Sequence, residues 1–239
     1  MKKKNTNFII FGQSRSGSTL LMDLIKSHPE INCETELFNY LELFPKFKPL
    51  RSLFRSFPLP YIYYRAKKTQ KAVYGFKLFF FQVHNPEKCL AQLARKNWKF
   101  IHIKRQNLLR QSLSNIIAME TNHWHRRVEN KPSVEKIEIK PERLLHVLKN
   151  RTAWKLKEKK LIEKYNHITI TYEDDLMDKD KWQQTANKVF RYLEIDPIEV
   201  NSELKKTYKK PYTELILNFA ELKKAVQNSP FSYLLENDN

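Results

Sequence analysis

Short apolar runs alternate along the chain with segments whose apolar residues recur at helical spacing. Four of the runs have the length and flanking residues of buried strands, and an amphipathic segment follows each of them. The resulting strand–helix units span residues 8–27, 75–96, 99–122 and 167–193. Such alternation is typical of a central parallel β-sheet flanked by helices, in which ligands bind at the carboxyl ends of the strands. The pattern therefore predicts an α/β fold.

The first strand–helix unit contains a polar loop of the kind that binds phosphate groups. The run Phe8–Phe11 ends at Gly12, and residues 13–19 (QSRSGST) then lead into an amphipathic helix. A strand that enters such a loop and then a helix directs several unpaired backbone N–H groups and the positive end of the helix dipole at one point. We therefore expect an anion to bind at this loop.

The spacing within the loop indicates which anion to expect. A Walker A loop reads G-x-x-x-x-G-K-[ST], and Gly12, Gly17 and Thr19 match it. Ser18 occupies the lysine position, so the loop lacks the cation that reaches the terminal phosphate of a nucleoside triphosphate. Arg15 is the cation that the loop does contain, and its guanidinium can donate two hydrogen bonds to one phosphate. The alternative is that the serines only cap the following helix.

This loop resembles that of the sulfotransferases that use 3′-phosphoadenosine 5′-phosphosulfate (PAPS), whose first loop reads much like S-R-S-G-S-T-L-L. The resemblance implies a P-loop-like three-layer α/β fold, PAPS as the donor and 3′,5′-ADP as the product. No metal is required, because positioning and cationic stabilisation are sufficient for an in-line transfer. The residues that the resemblance assigns to the 5′-phosphosulfate are Ser14, Arg15, Ser16, Gly17, Ser18 and Thr19.

A catalytic base is predicted shortly after the first helix. Many members of the family carry there a G-E-x-F pattern, whose glutamate is taken as the base that deprotonates the acceptor hydroxyl. The E-L-F run that begins at Glu36 is similar, although Thr35 stands in place of the glycine. Glu34 is a second candidate, because side chains two residues apart share a face in an extended segment. A solvated acid in a loop is the alternative reading of Glu36.

A second phosphate site is predicted at the end of the third strand. In sulfotransferases an arginine at the end of this strand and a serine on the next helix bind the 3′-phosphate of the donor. Arg105 and Ser114 are nine residues apart, as in the R-[RQ]-[DN]-x-x-x-Q-A-x-S pattern of related bacterial enzymes that sulfate sugars, so Ser114 is preferred to Ser112. A capping or surface role is the alternative for Arg105, and contact of Lys209 and Lys210 with the 3′-phosphate stays open.

Two further segments are similar to elements of the family. The run Tyr74–Phe81 (YGFKLFFF) resembles its G-[FW]-K-L strand in the central sheet, and Tyr172–Leu176 (YEDDL) resembles its Y-E-D-L run. A Walker B strand also ends in an acid, and this feature slightly favours the alternative of a nucleoside triphosphatase.

The resemblance covers nearly the whole chain, from Phe8 to about Leu235, and we predict a single domain over 1–239. It is weakest at about 37–71 and 123–160, the second of which we interpret as a variable loop and helix. The first is aromatic and basic, and we interpret it as an insertion that faces the acceptor. Packing as a helical hairpin, stacking on nucleic acid and contact with an anionic surface are its alternatives.

The composition limits the classes of ligand and compartment. Lysine and arginine number 44 against 26 acids, a formal net charge of +18, which indicates anionic ligands unless the lysines are only solvated decoration. No apolar run reaches the roughly 18 residues of a membrane span. Cys33 and Cys89 have neither metal nor disulfide spacing, and His123 and His125 face different directions on a helix. We therefore expect no metal and a reducing, cytoplasmic location.

These patterns together predict a PAPS-dependent sulfotransferase that acts on a hydroxyl of a carbohydrate or glycoconjugate, with no nucleic-acid partner. In this scheme Arg15 and Glu36 are catalytic, and His123 or His125 becomes the candidate base if neither Glu36 nor Glu34 serves. Two alternatives stay open. A P-loop-type phosphotransferase or nucleotide hydrolase would use the same loop, and a basic nucleic-acid-binding protein would use the charge. The patterns determine neither the acceptor nor the oligomeric state.

Overall fold

The computed structural model describes residues 6–38, 48–122, 136–204 and 211–236, with the side chains of 48–51 left out. The chain forms two compact units: unit 1 comprises 1–104 and 158–202, and unit 2 comprises 105–157 and 203–239. Four residues named above, His123, His125, Lys209 and Lys210, lie outside the described residues.

Unit 1 contains a parallel sheet of five strands. They are β1 (Thr6–Gly12), β2 (Ile31–Glu36), β3 (Val73–Phe79), β4 (Lys99–Lys104) and β5 (His167–Thr171). The order across the sheet is β2-β3-β1-β4-β5, and every neighbouring pair is parallel. Because β1 is the central strand, the loop that follows it leaves the middle of the carboxyl edge. The predicted α/β fold with a central parallel sheet is confirmed.

Nine helices are found in the described ranges. They are α1 (Ser18–Lys26), α2 (Lys48–Ser56), α3 (Pro58–Lys68), α4 (Pro86–Ala94), α5 (Leu108–Thr121), α6 (Pro141–Ile162), α7 (Trp182–Leu193), α8 (Tyr212–Leu215) and α9 (Phe219–Gln227). A 3₁₀ turn at Phe80–Gln82 follows β3, and a π turn at Tyr172–Leu176 follows β5. None of these helices combines the length and apolar character needed to cross a bilayer.

Both faces of the sheet in unit 1 are covered, which explains why its central strands are continuous apolar runs. Successive residues of β1 point to opposite faces. Phe8 and Ile10 belong to one core cluster, which includes side chains of α1 and α7. Ile9 and Phe11 belong to the other, which includes side chains of α3, α4 and the end of α6. The sheet therefore lies between two helical layers.

The strand β2 was not among the predicted strands. Its sequence, INCETE, alternates buried and partly exposed residues and has no long apolar run, because it is an edge strand with one neighbour. The basic and aromatic stretch after it contains two consecutive helices, α2 and α3, joined at Phe57. This agrees with the helical-hairpin alternative for residues 48–68 of the segment 37–71.

Unit 2 has a helical core of its own. Apolar residues of α5, of the first part of α6 and of α9 form it, among them Leu113, Ile117, Leu148 and Val226. The backbone N–H of Ile137 donates to the carbonyl of Leu215, and that of Leu217 donates to the carbonyl of Ile137. These bonds connect the segment before α6 to the end of α8.

A close backbone approach in the sheet gives the first prediction. A Cβ atom at Gly75 would lie 2.3 Å from Cε1 and Cζ of the fully buried Phe8 ring. We expect Gly75→Ala to lower the free energy of unfolding by about 1–3 kcal/mol, as overpacked cores do. Denaturant unfolding measures it, and in a Phe8→Leu background the cost of Gly75→Ala should be smaller. Additive effects of the two substitutions would contradict the proposed clash.

Candidate functional site

The loop between β1 and α1 has a backbone shaped to receive an anion. Arg15 has φ 64° and Gly17 has φ 88°, so two residues of this short loop are in the left-handed region. Turns of this kind direct successive N–H groups into a concave anion-binding nest. The hydroxyl of Ser16 donates a hydrogen bond of 2.8 Å to the carbonyl of Gln13 and fixes the turn from inside.

Gly17 is required here for two reasons. Its φ is unfavourable for a residue with a side chain, and an added Cβ would lie 2.6 Å from Cδ2 of Tyr172. The aromatic ring that follows β5 therefore packs directly on the loop. Tyr172 is held in turn, because the carboxylate of Asp175 accepts a hydrogen bond of 2.6 Å from the backbone N–H of Thr171.

The loop serines do not cap α1. Gly17, which has no side chain, occupies the N-cap position and makes no side-chain cap hydrogen bond. The cap position itself is thus held by a residue without a side chain, and not by one of the serines. The positive end of the α1 dipole is therefore directed at the loop, where it favours an anion.

A lysine from the neighbouring strand supplies the cation that the loop lacks. Lys77 of β3 is 2 % exposed, and its Nζ donates a hydrogen bond of 3.1 Å to Oγ1 of Thr19 in the first turn of α1. In the sheet it pairs with Ile10 of β1 on one side and with Glu36 of β2 on the other. A positive charge therefore reaches the P-loop-like turn, although Ser18 stands in the usual lysine position.

Burial and two other charged side chains of the site affect the pKa of Lys77. Burial is the largest effect and lowers the pKa of Lys77, while the carboxylate of Glu36 opposes this shift and the guanidinium of Arg15 adds to it. The sequence reasoning recognised the strand but assigned Lys77 no role. The signal was present, because a lysine inside an otherwise apolar buried run requires a compensating partner.

An irregularity in β2 separates the two candidate bases. Glu34 pairs with Phe76 and Glu36 pairs with Lys77, so β2 advances by two residues where β3 advances by one. Consecutive residues of β3 point to opposite faces, and the two glutamates therefore do so as well. The expectation that they share a face is wrong, because the bulge at Thr35 shifts the alternation by one residue.

Glu34 is engaged in a structural ion pair on the face of α3. Its Oε2 lies 2.8 Å from Nη2 of Arg65. Nearby, burial raises the pKa of the Tyr74 hydroxyl, and the charge of Glu34 raises it further. These contacts tie β2 to α3 and β3, away from the face that carries Lys77.

Glu36 lies on the face of Lys77, and a glutamine orients it. Nε2 of Gln82 donates a hydrogen bond of 3.0 Å to Oε2 of Glu36. Oε1 of the same amide accepts a hydrogen bond of 2.9 Å from the backbone N–H of Phe79. The backbone bond fixes which end of the amide faces the carboxylate. Sequence reasoning missed Gln82, since nothing in the pattern F-F-Q marks it as a partner of a residue 46 positions away.

The residues predicted to bind the 3′-phosphate belong to unit 2. Arg105 is partly buried and directly follows β4, and Ser114 is buried within α5. The start of α5 is fixed by Asn107, whose side-chain oxygen accepts a hydrogen bond of 2.8 Å from the N–H of Arg110. Ser112, the alternative to Ser114, is fully buried, and its hydroxyl has no hydrogen-bond partner among the described residues.

In the described ranges no three His, Cys, Asp or Glu side chains are grouped so that they could hold a metal ion. Cys33 and Cys89 are both buried and form no disulfide, and burial raises the pKa of each thiol to about 12.

Comparison with known proteins identifies the fold. No protein-family model and no curated protein matches the chain. It is similar to the structure of a sulfotransferase from Alicyclobacillus acidocaldarius, with 13% identity, TM-score 0.53, and 100% and 98% of the two chains covered. It is also similar to the sulfotransferase domain of the Synechococcus PCC 7002 olefin synthase, with 14% identity, TM-score 0.50, and 99% and 96% covered. The fold is thus the P-loop-like α/β fold that sulfotransferases have.

The buried lysine gives the second prediction. Because the folded-state pKa of Lys77 lies below 10.5, the unfolded chain binds this proton more tightly, and wild-type stability rises with pH between those two values. We expect Lys77→Met to raise the free energy of unfolding at neutral pH, and its advantage to shrink as the pH rises through that window. Denaturant unfolding at several pH values tests this.

The exposed Lys96 provides the matched control, and Lys96→Met should change stability by less than about 0.5 kcal/mol. A Lys77→Met variant that is less stable than wild type at neutral pH would show instead that the lysine stabilises the fold.

Proposed function

We propose that the protein transfers a sulfuryl group from PAPS to a hydroxyl of a carbohydrate or glycoconjugate. The observation that carries the proposal is the meeting, on one face of the sheet in unit 1, of the anion-binding loop, Lys77 and Glu36. Transfer of a sulfuryl group to a hydroxyl needs cationic groups beside the anionic donor and a base for the proton that the hydroxyl loses. The reduced, buried cysteines suit a cytoplasmic location.

The loop residues fit a phosphosulfate group. In this proposal the backbone of Ser14, Ser16, Gly17 and Ser18 and the hydroxyl of Thr19 bind the 5′-phosphosulfate, with Arg15 donating to it. The left-handed backbone at Arg15 and the exclusion of a Cβ at Gly17 support this assignment. Arg105 and Ser114 bind the 3′-phosphate through charge-assisted and hydroxyl hydrogen bonds.

In this proposal the side chains of unit 1 have different roles in the reaction. When bound, PAPS supplies the activated sulfuryl group. Glu36, held at Oε2 by Gln82, takes the proton of the acceptor hydroxyl as it attacks. Lys77 and Arg15 stabilise the negative charge that develops on the transferring and leaving oxygens. The hydrogen bond that Thr19 accepts holds the ammonium group of Lys77 in position.

The donor is tested with its product. At about 100 times its Kd, 3′,5′-ADP should stabilise the protein by about 2.7 kcal/mol, and 5′-AMP at the same concentration should do much less. Thermal unfolding measures both. Arg105→Ala and Ser114→Ala should reduce the difference between the two nucleotides, because they remove donors to the 3′-phosphate.

Two controls accompany these variants. Arg95→Ala removes an exposed arginine, and Ser112→Ala removes a buried hydroxyl on the same helix as Ser114; both should keep the discrimination. Equal stabilisation by the two nucleotides in the wild type would rule out the 3′-phosphate site. Binding that depends on Mg²⁺ and a γ-phosphate would favour the phosphotransferase alternative.

The base is tested by a matched pair of substitutions. We expect Glu36→Gln to lower turnover by about 10²–10⁴-fold, the usual contribution of a general base, with 3′,5′-ADP affinity nearly unchanged. Glu34→Gln changes the same chemical group two residues away, and it should leave turnover within a few-fold of wild type, since Glu34 pairs with Arg65 on the other face. Single-turnover assays with labelled PAPS distinguish the two variants.

The reverse result, full turnover in Glu36→Gln and loss in Glu34→Gln, would move the assignment to the face of α3. Unchanged turnover in both variants would leave the base to be found among the remaining candidates, His123 and His125.

A further inference from the structure

The outer surface of α2 and α3 exposes bulky apolar side chains. Leu53 on α2 is 51% exposed, Phe57 between the helices is 64% exposed, and Tyr64 on α3 is 52% exposed. Lys67 and Lys68 on the same helix are exposed as well. We refer to these five residues as the α2–α3 outer surface.

The inner side of the same helices is well packed, so the exposure is not a sign of a loosely attached segment. Ile62 is fully buried, and the rings of Phe54 and Tyr61 lie 5.1 Å apart between α2 and α3. Arg65 is paired with Glu34 of β2. α3 therefore has a buried side and a separate exposed side, and α2 packs on it through Phe54.

The charge of this segment is uniform in sign. Residues 48–68 contain no acid, and α2 is strongly amphipathic. The basic residues of the segment are Lys48, Arg51, Arg55, Arg65, Lys67 and Lys68. The whole chain carries +18. A partner that covers this surface must therefore be negatively charged as well as able to accept apolar side chains.

Short contacts connect this surface to the candidate base. Nη2 of Arg55 donates a hydrogen bond of 3.0 Å to the carbonyl of Phe81, and the backbone N–H of His84 donates one of 2.9 Å to the carbonyl of Arg55. Gln82, the residue after Phe81, donates to Glu36. Phe81 is itself 43% exposed. The apolar and basic surface is thus anchored to the turn that orients Glu36.

We propose that the α2–α3 outer surface docks on an anionic phospholipid bilayer. Exposed Phe and Leu side chains beside lysines are what amphipathic segments use to lie in a membrane interface, where the apolar groups enter the acyl boundary and the basic groups meet anionic headgroups. Nucleic acid fits less well. Leu53 offers no ring for base stacking, and the ring of Tyr64 is covered by Nζ of Lys68 at 4.7 Å, which leaves Phe57 with the one uncovered ring of the three side chains.

The docking names a class of acceptor, and this part rests on the proposed function. Because Arg55 of α2 donates to the turn that orients Glu36, docking of the neighbouring surface places Glu36 near the lipid headgroups in this proposal. The acceptor of the sulfuryl group is then the hydroxyl of a glycolipid rather than of a dissolved sugar.

The docking is tested with vesicles and the full chain. Co-sedimentation uses vesicles of phosphatidylcholine alone and of equal parts of phosphatidylcholine and phosphatidylglycerol, at about 0.15 M salt, where long-range attraction is screened. We expect binding to the anionic vesicles and much weaker binding to the neutral ones.

Matched variants locate the contact. Leu53→Ser with Phe57→Ser should lower vesicle affinity by about tenfold or more. The control, Leu156→Ser with Leu217→Ser, removes leucines that are 59% and 64% exposed and should leave the affinity unchanged. Lys67→Glu with Lys68→Glu should also lower it by about tenfold or more. Its control is Lys159→Glu with Lys160→Glu, which reverses two exposed lysines of α6. The four substituted positions of the outer surface, Leu53, Phe57, Lys67 and Lys68, are all exposed, so the melting temperature should be retained.

Three results would overturn the proposal. They are absence of binding to anionic vesicles, equal losses in the variants and their controls, and equally tight binding of a duplex oligonucleotide that the Leu53→Ser, Phe57→Ser variant retains. The last result would mean attraction to any polyanion. None of these measurements needs a donor, so docking and the 3′,5′-ADP response can fail independently.

The acceptor class has its own assay. With labelled PAPS, a glycolipid in anionic vesicles should be sulfated faster than its water-soluble sugar, and the Leu53→Ser, Phe57→Ser variant should lose this advantage. Equal rates for the two acceptors would overturn the glycolipid assignment and leave the sulfotransferase proposal intact. Absence of transfer to both, together with no response to 3′,5′-ADP, would instead overturn the proposed function.

Discussion

The burial of one ammonium group constrains the arrangement around the centre of the sheet. Lys77 lies in a strand that is buried along its whole length, where an uncompensated charge is costly. Its compensation comes from Thr19 in the first turn of α1 and from Glu36 at the end of β2. The loop, α1, β2 and β3 must therefore stay in one mutual arrangement for this charge to be tolerated. In our proposal the same arrangement binds the anionic donor.

A single irregularity in an edge strand decides which carboxylate joins this arrangement. At Thr35 the alternation of β2 shifts by one residue, so Glu36 lies beside Lys77 while Glu34 pairs with Arg65 on the opposite face. Bulges near sheet edges often re-aim a side chain in this way. In our proposal Glu36 therefore acts in the reaction, whereas Glu34 has a structural role.

Support for the loop comes from a distant part of the chain. Tyr172, at the end of β5, packs on Gly17, and the π turn that holds it is closed by Asp175. Only a residue without a side chain fits at position 17, because the ring and the left-handed backbone exclude a Cβ together. The shape of the anion nest thus depends on contacts that are absent from the local sequence.

The sequence by itself determined β1, the polar loop and α1, since an apolar run, a Gly-Ser-rich turn and helical spacing are local features. It also located four of the five strands, because buried parallel strands are apolar along their length. Only the tertiary structure decided that INCETE forms a strand, that Glu34 and Glu36 face apart, and that Lys77 and Gln82 belong to the site. These depend on pairing between segments tens of residues apart, and a charge or amide acquires its role from the partner that folding places beside it.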